Sequence, residues 1–150
     1  MAQSLSRIWI HLIFSTKDRF PFLSDERLRR DMHAYIATVL RSHDCETLVV
    51  NGTADHIHGL FGLSRKHSVA MIIKEIKRTS SGWIKEISPL EKFHWQNGYG
   101  AFSVSQSHLD RVCRYIEEQE RHHAGRTFES EYRAFLKKYQ INYDERYVWD

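Results

Sequence analysis

Asp55-His56-Ile57-His58 lies inside an apolar run, residues 48–63. If that run is a β-strand, side chains alternate between faces, so His56 and His58 share one face and Ile57 takes the other. Two neutral imidazoles on a rigid strand offer two nitrogen ligands to a divalent metal and need a third from elsewhere in the fold. With ten histidines in the chain, a His-x-His pair arises readily by chance, so it points to metal chemistry only with a partner.

The elements that must position this pair follow from patterning. Residues 6–16 place Ile8, Ile10, Leu12 and Phe14 against Trp9, His11 and Ile13, a strand buried on both faces and therefore central. His11 is then a buried polar group that either hydrogen-bonds or lies near the metal face. Ser24 and Asp25 cap a helix carrying Leu28, Met32, Tyr35, Ile36, Val39 and Leu40, which stops near residues 42–44. Residues 45–50 form a second strand, and Asn51-Gly52-Thr53-Ala54 is turn chemistry that joins it to the His56 strand as a hairpin.

Ser68 heads a helix with Val69, Ile72, Ile73 and Ile76 as its apolar stripe. Lys74, Lys77, Arg78, Ser81 and Lys85 fall outside that stripe, either as a solvated face or as a surface that grips phosphates. Ser88-Pro89 ends it, and residues 93–104 form a Gly-punctuated aromatic segment ending in a short strand, whose rings either pack or stack on bases. Ser107 opens a helix with Leu109, Val112, Cys113 and Ile116 inward, and Tyr115 and Gln119 flank that stripe four residues apart. It ends at His122 and His123, Gly125 is the stop, and residues 128–139 form one more amphipathic helix before an aromatic, charged tail that docks on the body. This order is an α+β, ferredoxin-like split βαβ pattern: an antiparallel sheet with helices on one face, the other face open, and a C-terminal helix carrying Tyr115.

Size and composition narrow the classes. A chain of 150 residues and 17.9 kDa suits one domain, residues 1–150. Hydrophobic residues at 41% argue against disorder, and the longest apolar stretch, residues 8–14, is too short to span a bilayer. The start has no signal-peptide core, and Cys45 and Cys113 stand singly, so a cytoplasmic location is expected. Lys plus Arg exceed Asp plus Glu by 22 to 19, a balance compatible with nucleic acid without demanding it.

His56-Ile57-His58, the segment Trp95-Gln96-Asn97-Gly98-Tyr99-Gly100-Ala101-Phe102-Ser103-Val104-Ser105, and Tyr115-Ile116-Glu117-Glu118-Gln119 occur in this order. Together they resemble the HUH-type single-tyrosine transposases of small bacterial insertion sequences. Ser15-Thr16-Lys17-Asp18-Arg19 and Tyr143-Asp144-Glu145-Arg146-Tyr147-Val148-Trp149 match the same family, so the resemblance covers nearly the whole chain. Gly59, where a larger apolar residue is more usual, is its one departure.

The resemblance implies a metal-dependent single-stranded DNA transposase that recognises hairpin ends and cuts and rejoins DNA through a 5′-phosphotyrosine. Tyr115 is the implied nucleophile. His56, His58 and Gln119 are the implied ligands of Mg²⁺ or Mn²⁺, which polarises the scissile phosphate. The implied partners are single-stranded DNA with hairpins at element ends and a second copy in a homodimer. Lys74, Lys77, Arg78 and Lys85 are the implied backbone phosphate contacts, with Arg114 and Arg121 secondary. No Gly-x-x-x-x-Gly-Lys phosphate loop is present, in keeping with rejoining driven by the phosphotyrosine itself. Three other readings stand behind this one: a catalytically silent single-stranded DNA or RNA hairpin binder derived from such a transposase, a metal hydrolase indifferent to Tyr115, and a chain whose histidines are only structural.

Overall fold

In a computed structural model the chain is described at every residue except Glu91, and of His122 only the backbone is described. β1 (Trp9–Ser15) is buried along its whole length. Ile10, Leu12 and Phe14 face one core, while Trp9 and Ile13 enter two others, as a strand covered on both faces requires. β1 pairs antiparallel with β3 (His56–Gly62) and with β4 (Gly100–Val104), and β2 (Glu46–Gly52) pairs with β3, giving the order β2-β3-β1-β4. That is the split βαβ arrangement expected from the sequence.

α1 (Glu26–Ser42) starts where Asp25 accepts the Leu28 N–H at 2.9 Å, and α2 (Val69–Ile87) where Ser68 accepts the Met71 N–H at 3.2 Å. Both helices pack on one face of the sheet, with Met32, Ile36, Ile73 and Ile76 against Leu12, Phe14 and Ile57. Gly59 is buried with room to spare, since a Cβ there would meet only Val50, at 4.0 Å. Among the described residues no helix is long and apolar enough to cross a membrane.

The second sheet face is not open. Leu109 and Ile116 of α3 (Leu109–Glu117) pack against Trp9 and Leu60. Phe128, Tyr132 and Leu136 of α5 (Phe128–Lys138) pack against Ile13 and Phe102. An apolar lower face on β1 and β4 could not stay in water, and the two helices remove it.

The expected single helix carrying both Tyr115 and Gln119 is also corrected. α3 ends at Glu117, Glu118 leaves helical geometry at φ −97° and ψ 20°, and Gln119 begins the short α4 (Gln119–His122). The cause lies outside the helix. Asn51 of β2 donates its amide to the carbonyls of Ile116 at 2.9 Å and Glu117 at 3.2 Å, capping α3 from the sheet. The tail docks as expected: Trp149 lies under the guanidinium groups of Arg133 and Arg19, 4.9 and 5.6 Å from its ring, and Gly98 donates its N–H to the Asp150 carbonyl at 2.7 Å.

Two features of this frame are measurable. A Cβ on Gly52 would stand 2.1 Å from the His56 carbonyl oxygen, so only glycine lets β2 close on β3. Gly52→Ala is expected to cost about 1–3 kcal/mol in urea unfolding; an unchanged midpoint would show that the hairpin yields. His33 of α1 is buried, its Nε2 has no hydrogen-bond partner, and burial, helped by Arg29, lowers its pKa to about 4. The unfolded chain takes up that proton first as pH falls below about 6.5, so stability is lost from there down to about pH 4. Between pH 7.5 and 5 the wild type is expected to lose about 2 kcal/mol more than His33→Leu, and equal losses would refute the assignment.

Candidate active site

β3 brings His56 and His58 to the face under α3 and α5, both at 0% exposure. Asp55 Oδ1 lies 2.7 Å from His56 Nδ1 and accepts a hydrogen bond from Thr53 Oγ1 at 3.0 Å. With Nδ1–H donated to Asp55, the His56 Nε2 lone pair faces inward. There it meets Gln119 Oε1 at 3.2 Å. In that tautomer a nitrogen lone pair and an amide oxygen converge on one point, the pair of donor atoms a cation would take.

His58 is held from behind by His11, whose Nε2 is 2.8 Å from His58 Nδ1. His11 therefore does both things the sequence left open: it hydrogen-bonds, and it lies on the metal-facing side. His58 Nε2 points forward to Glu131 Oε1 of α5 at 2.8 Å, and His56 Nε2 lies 3.6 Å from the same oxygen. His123 Nε2 lies 3.2 Å from Glu131 Oε2 without the alignment of a hydrogen bond, which leaves a buried nitrogen aimed at the cluster. The donor atoms of His56, His58, His123 and Glu131 all fall within 4.8 Å of one another. An octahedral Mg²⁺ or a similar ion, with ligands at about 2.0–2.1 Å, needs neighbouring donors about 3 Å apart. The donor set of imidazoles, one carboxylate and one amide oxygen therefore fits a divalent cation in spacing and in chemistry.

The electrostatics centre on Glu131, which is fully buried. Burial alone would raise its pKa, but the close imidazoles of His123 and His58 and the Tyr115 hydroxyl hold it well below the usual carboxylate range. Burial keeps His58 neutral, with a pKa lowered to about 4 against the pull of Glu131. His123 is half-buried, and there Glu131 outweighs burial and raises the pKa. Tyr115 donates its hydroxyl to Glu131 Oε2, and burial together with that bond raises its pKa. Gln119 Nε2 reaches the same oxygen at 3.4 Å.

The structure thus gathers His56, His58, Tyr115 and Gln119, the four residues singled out for chemistry, and adds Glu131, His123, His11 and the Thr53–Asp55 pair. Glu131 had a signal in the sequence: position 131 lies in the apolar stripe of α5, between Phe128 and Phe135 at helical spacing, where a solvated carboxylate does not belong. The basic residues of α2 are elsewhere. Lys74, Lys77, Arg78 and Lys85 line a cavity of about 580 Å³ with Trp95 and Tyr99, on a helix that packs against the sheet face opposite the histidines. Lys74, Arg78 and Lys85 are exposed. Lys77 instead donates to the carbonyls of Gln96, Asn97 and Gly98 at 2.8, 3.2 and 2.6 Å, and burial lowers its pKa to about 8. Arg114 and Arg121 are exposed and stand apart from that cavity.

Comparison with known proteins bears on this arrangement. Residues 4–119 match the sequence model of the IS200-like transposases. No curated protein matches the chain. Among solved structures, one named as a transposase of Deinococcus radiodurans R1 is 22% identical, covers 79% of this chain and 98% of its own, and superposes with a TM-score of 0.63. A REP-associated tyrosine transposase bound to a REP hairpin is 14% identical, with 79% and 72% coverage and a TM-score of 0.57. At those identities the two structures speak for the fold, while the sequence match runs over most of the length, through both histidines, Tyr115 and Gln119: the chain belongs to the IS200-like transposase family.

Proposed function

We propose that this transposase is a metal-dependent enzyme that recognises hairpin ends of single-stranded DNA and cleaves and rejoins the strand through Tyr115, acting as a homodimer in the cytoplasm. The observation that carries the reading is the convergence of His56, His58, Gln119 and Glu131 with the Tyr115 hydroxyl in one buried cluster. The hairpin in the similar REP-associated transposase supports the same substrate class here. Lys74, Arg78 and Lys85 are free of the backbone contacts that occupy Lys77 and supply the phosphate contacts in this reading.

His56, His58 and Gln119 would hold Mg²⁺ or Mn²⁺, with Glu131 as a further donor from α5. When bound, the ion polarises the scissile phosphate and neutralises charge on the departing 3′ oxygen. The residues around it do the rest. With an ion in place, Asp55 and His11 would accept from the Nδ1–H of His56 and His58 and so turn both Nε2 lone pairs toward the site. The Tyr115 hydroxyl gives its proton to solvent as its oxygen attacks phosphorus, the bond to the 3′ oxygen breaks, that oxygen takes up a proton to leave as a 3′ hydroxyl, and the 5′ phosphate stays on the tyrosine. Glu131 is too weak a base to take the phenolic proton as the residues stand, because its pKa is depressed while that of Tyr115 is raised. With a cation held by His56, His58 and Gln119, Glu131 would be drawn from the phenol, and ionisation of Tyr115 would cost less. Rejoining reverses the step, with a 3′ hydroxyl attacking the phosphotyrosine.

With Mn²⁺ and 3′-labelled single-stranded DNA from the regions flanking the gene, the wild type is expected to carry label into a protein band on a denaturing gel, and Tyr115→Phe to carry none. Cleavage persisting in that variant would point to a metal-activated water instead. A gel shift without cleavage in either protein would point to the silent hairpin binder. In calorimetry, Glu131→Gln is expected to weaken Mn²⁺ binding roughly ten- to a hundredfold, and an unchanged affinity would confine the ligands to His56, His58 and Gln119.

A further inference from the structure

A cavity of about 240 Å³ opens beside Tyr115 and His11. Its walls are aromatic. Phe135 and Tyr139 both stack on Phe102, with ring centroids at 5.5 and 4.7 Å, and Tyr139 is pinned further by its hydroxyl on the Ser103 carbonyl at 3.0 Å. Phe135 also stands edge-on to Tyr115 at 5.9 Å. The rings are half-buried, held in place from below and accessible from the cavity, which is the arrangement of a stacking platform and not of a filled core.

The rim is cationic. Arg111, Arg126 and Lys138 line the cavity, all three are exposed, and no carboxylate lines it. Among the described residues none of the three side chains has an ion-pair partner. By contrast, Arg19 pairs with Glu129, Arg29 with Glu120 and Arg133 with Glu145, while Lys138 Nζ lies 5.7 Å over the Tyr139 ring at the cavity edge. Three unmatched cations around one aromatic cavity call for an anionic ligand with a flat ring. The volume falls below the roughly 300–1,000 Å³ of ordinary small-molecule sites, enough for one base but not for a stacked run.

We propose that this cavity seats one unpaired nucleotide of the DNA strand next to the phosphate attacked by Tyr115. Its base lies against Phe135 and Tyr139, and its flanking phosphates are met by Arg126, Arg111 and Lys138. The assignment rests on the proposed strand-cleaving function and adds to it. Tyr115 and the aromatic platform line one cavity, so seating a base there fixes which phosphate is brought up to the tyrosine, and a duplex, whose bases are already stacked, cannot supply it. The sequence match ends at residue 119, so Arg126, Phe135, Lys138 and Tyr139 come from a part of the chain outside it.

The test is the coupling between ring and base. Affinity for single-stranded DNA from the gene's flanks would be measured by anisotropy in EDTA, so that no strand is cut. A single abasic nucleotide is moved one position at a time along the oligonucleotide, with wild type beside Phe135→Leu and Tyr139→Leu, each first shown to melt cooperatively. At one position the missing base is expected to weaken wild-type binding roughly five- to tenfold. Phe135→Leu should show that loss on intact DNA and lose little more when the base is removed. Arg126→Ala with Lys138→Ala should flatten the salt dependence while leaving the effect of the base in place. Equal abasic penalties in wild type and both ring variants, or no sensitive position, would overturn the proposal. The covalent gel separates this from the function itself. An adduct without coupling sinks the nucleotide seat alone, coupling without an adduct leaves the seat as a binding subsite and sinks the cleavage reading, and the absence of both sinks both.

Discussion

A carboxylate with no access to water organises this molecule. Glu131 is fully buried, and an isolated charge in that position would be too costly to keep. It persists because two imidazoles and a phenol converge on it from β3, from the segment after α4 and from α3. The need runs both ways: His56 and His58 are buried on a sheet face that would otherwise be apolar, and the charge from α5 gives them an electrostatic counterpart. Packing supplies the rest, since Phe128, Tyr132 and Leu136 lock α5 onto the sheet and leave the carboxylate no exit.

The same carboxylate also governs the phenol beside it. In the structure as it stands, Tyr115 is held and its ionisation is suppressed by the same carboxylate that draws the histidines together. Charge is stored on Glu131 and kept from the phenol. Around that centre, the Thr53–Asp55 pair and His11 set the direction of the imidazoles.

Much of this was legible in the chain. β1 announced itself by apolar residues on both faces, α1 and α2 by Asp25 and Ser68, and the same-face geometry of His56 and His58 followed from strand periodicity alone. What was hidden depended on contacts distant in sequence. The end of α3 is imposed by Asn51, 65 residues away, and no local propensity at Glu118 reveals it. The sheet face expected to be free was covered because apolar residues on helices show that something is buried, not where. Glu131 reads as a solvated acid until its place in the stripe of Phe128 and Tyr132 is noticed. Lys77 reads as a surface cation, while its ammonium in fact ties down the carbonyls of residues 96–98.

The hairpin between β2 and β3 concentrates several of these duties in a few residues. Asn51 ends the helix that carries Tyr115, Gly52 allows the strands to close, and Thr53 with Asp55 orients His56. Surface turns ordinarily accept insertions because an added residue costs little loop entropy. This turn has no such latitude. One residue more or less would move the Asn51 amide off the carbonyls of α3 and slip the two histidines to the far face of the sheet. It is therefore a turn in which both the length and the identity of the residues are tied to what lies at its two ends.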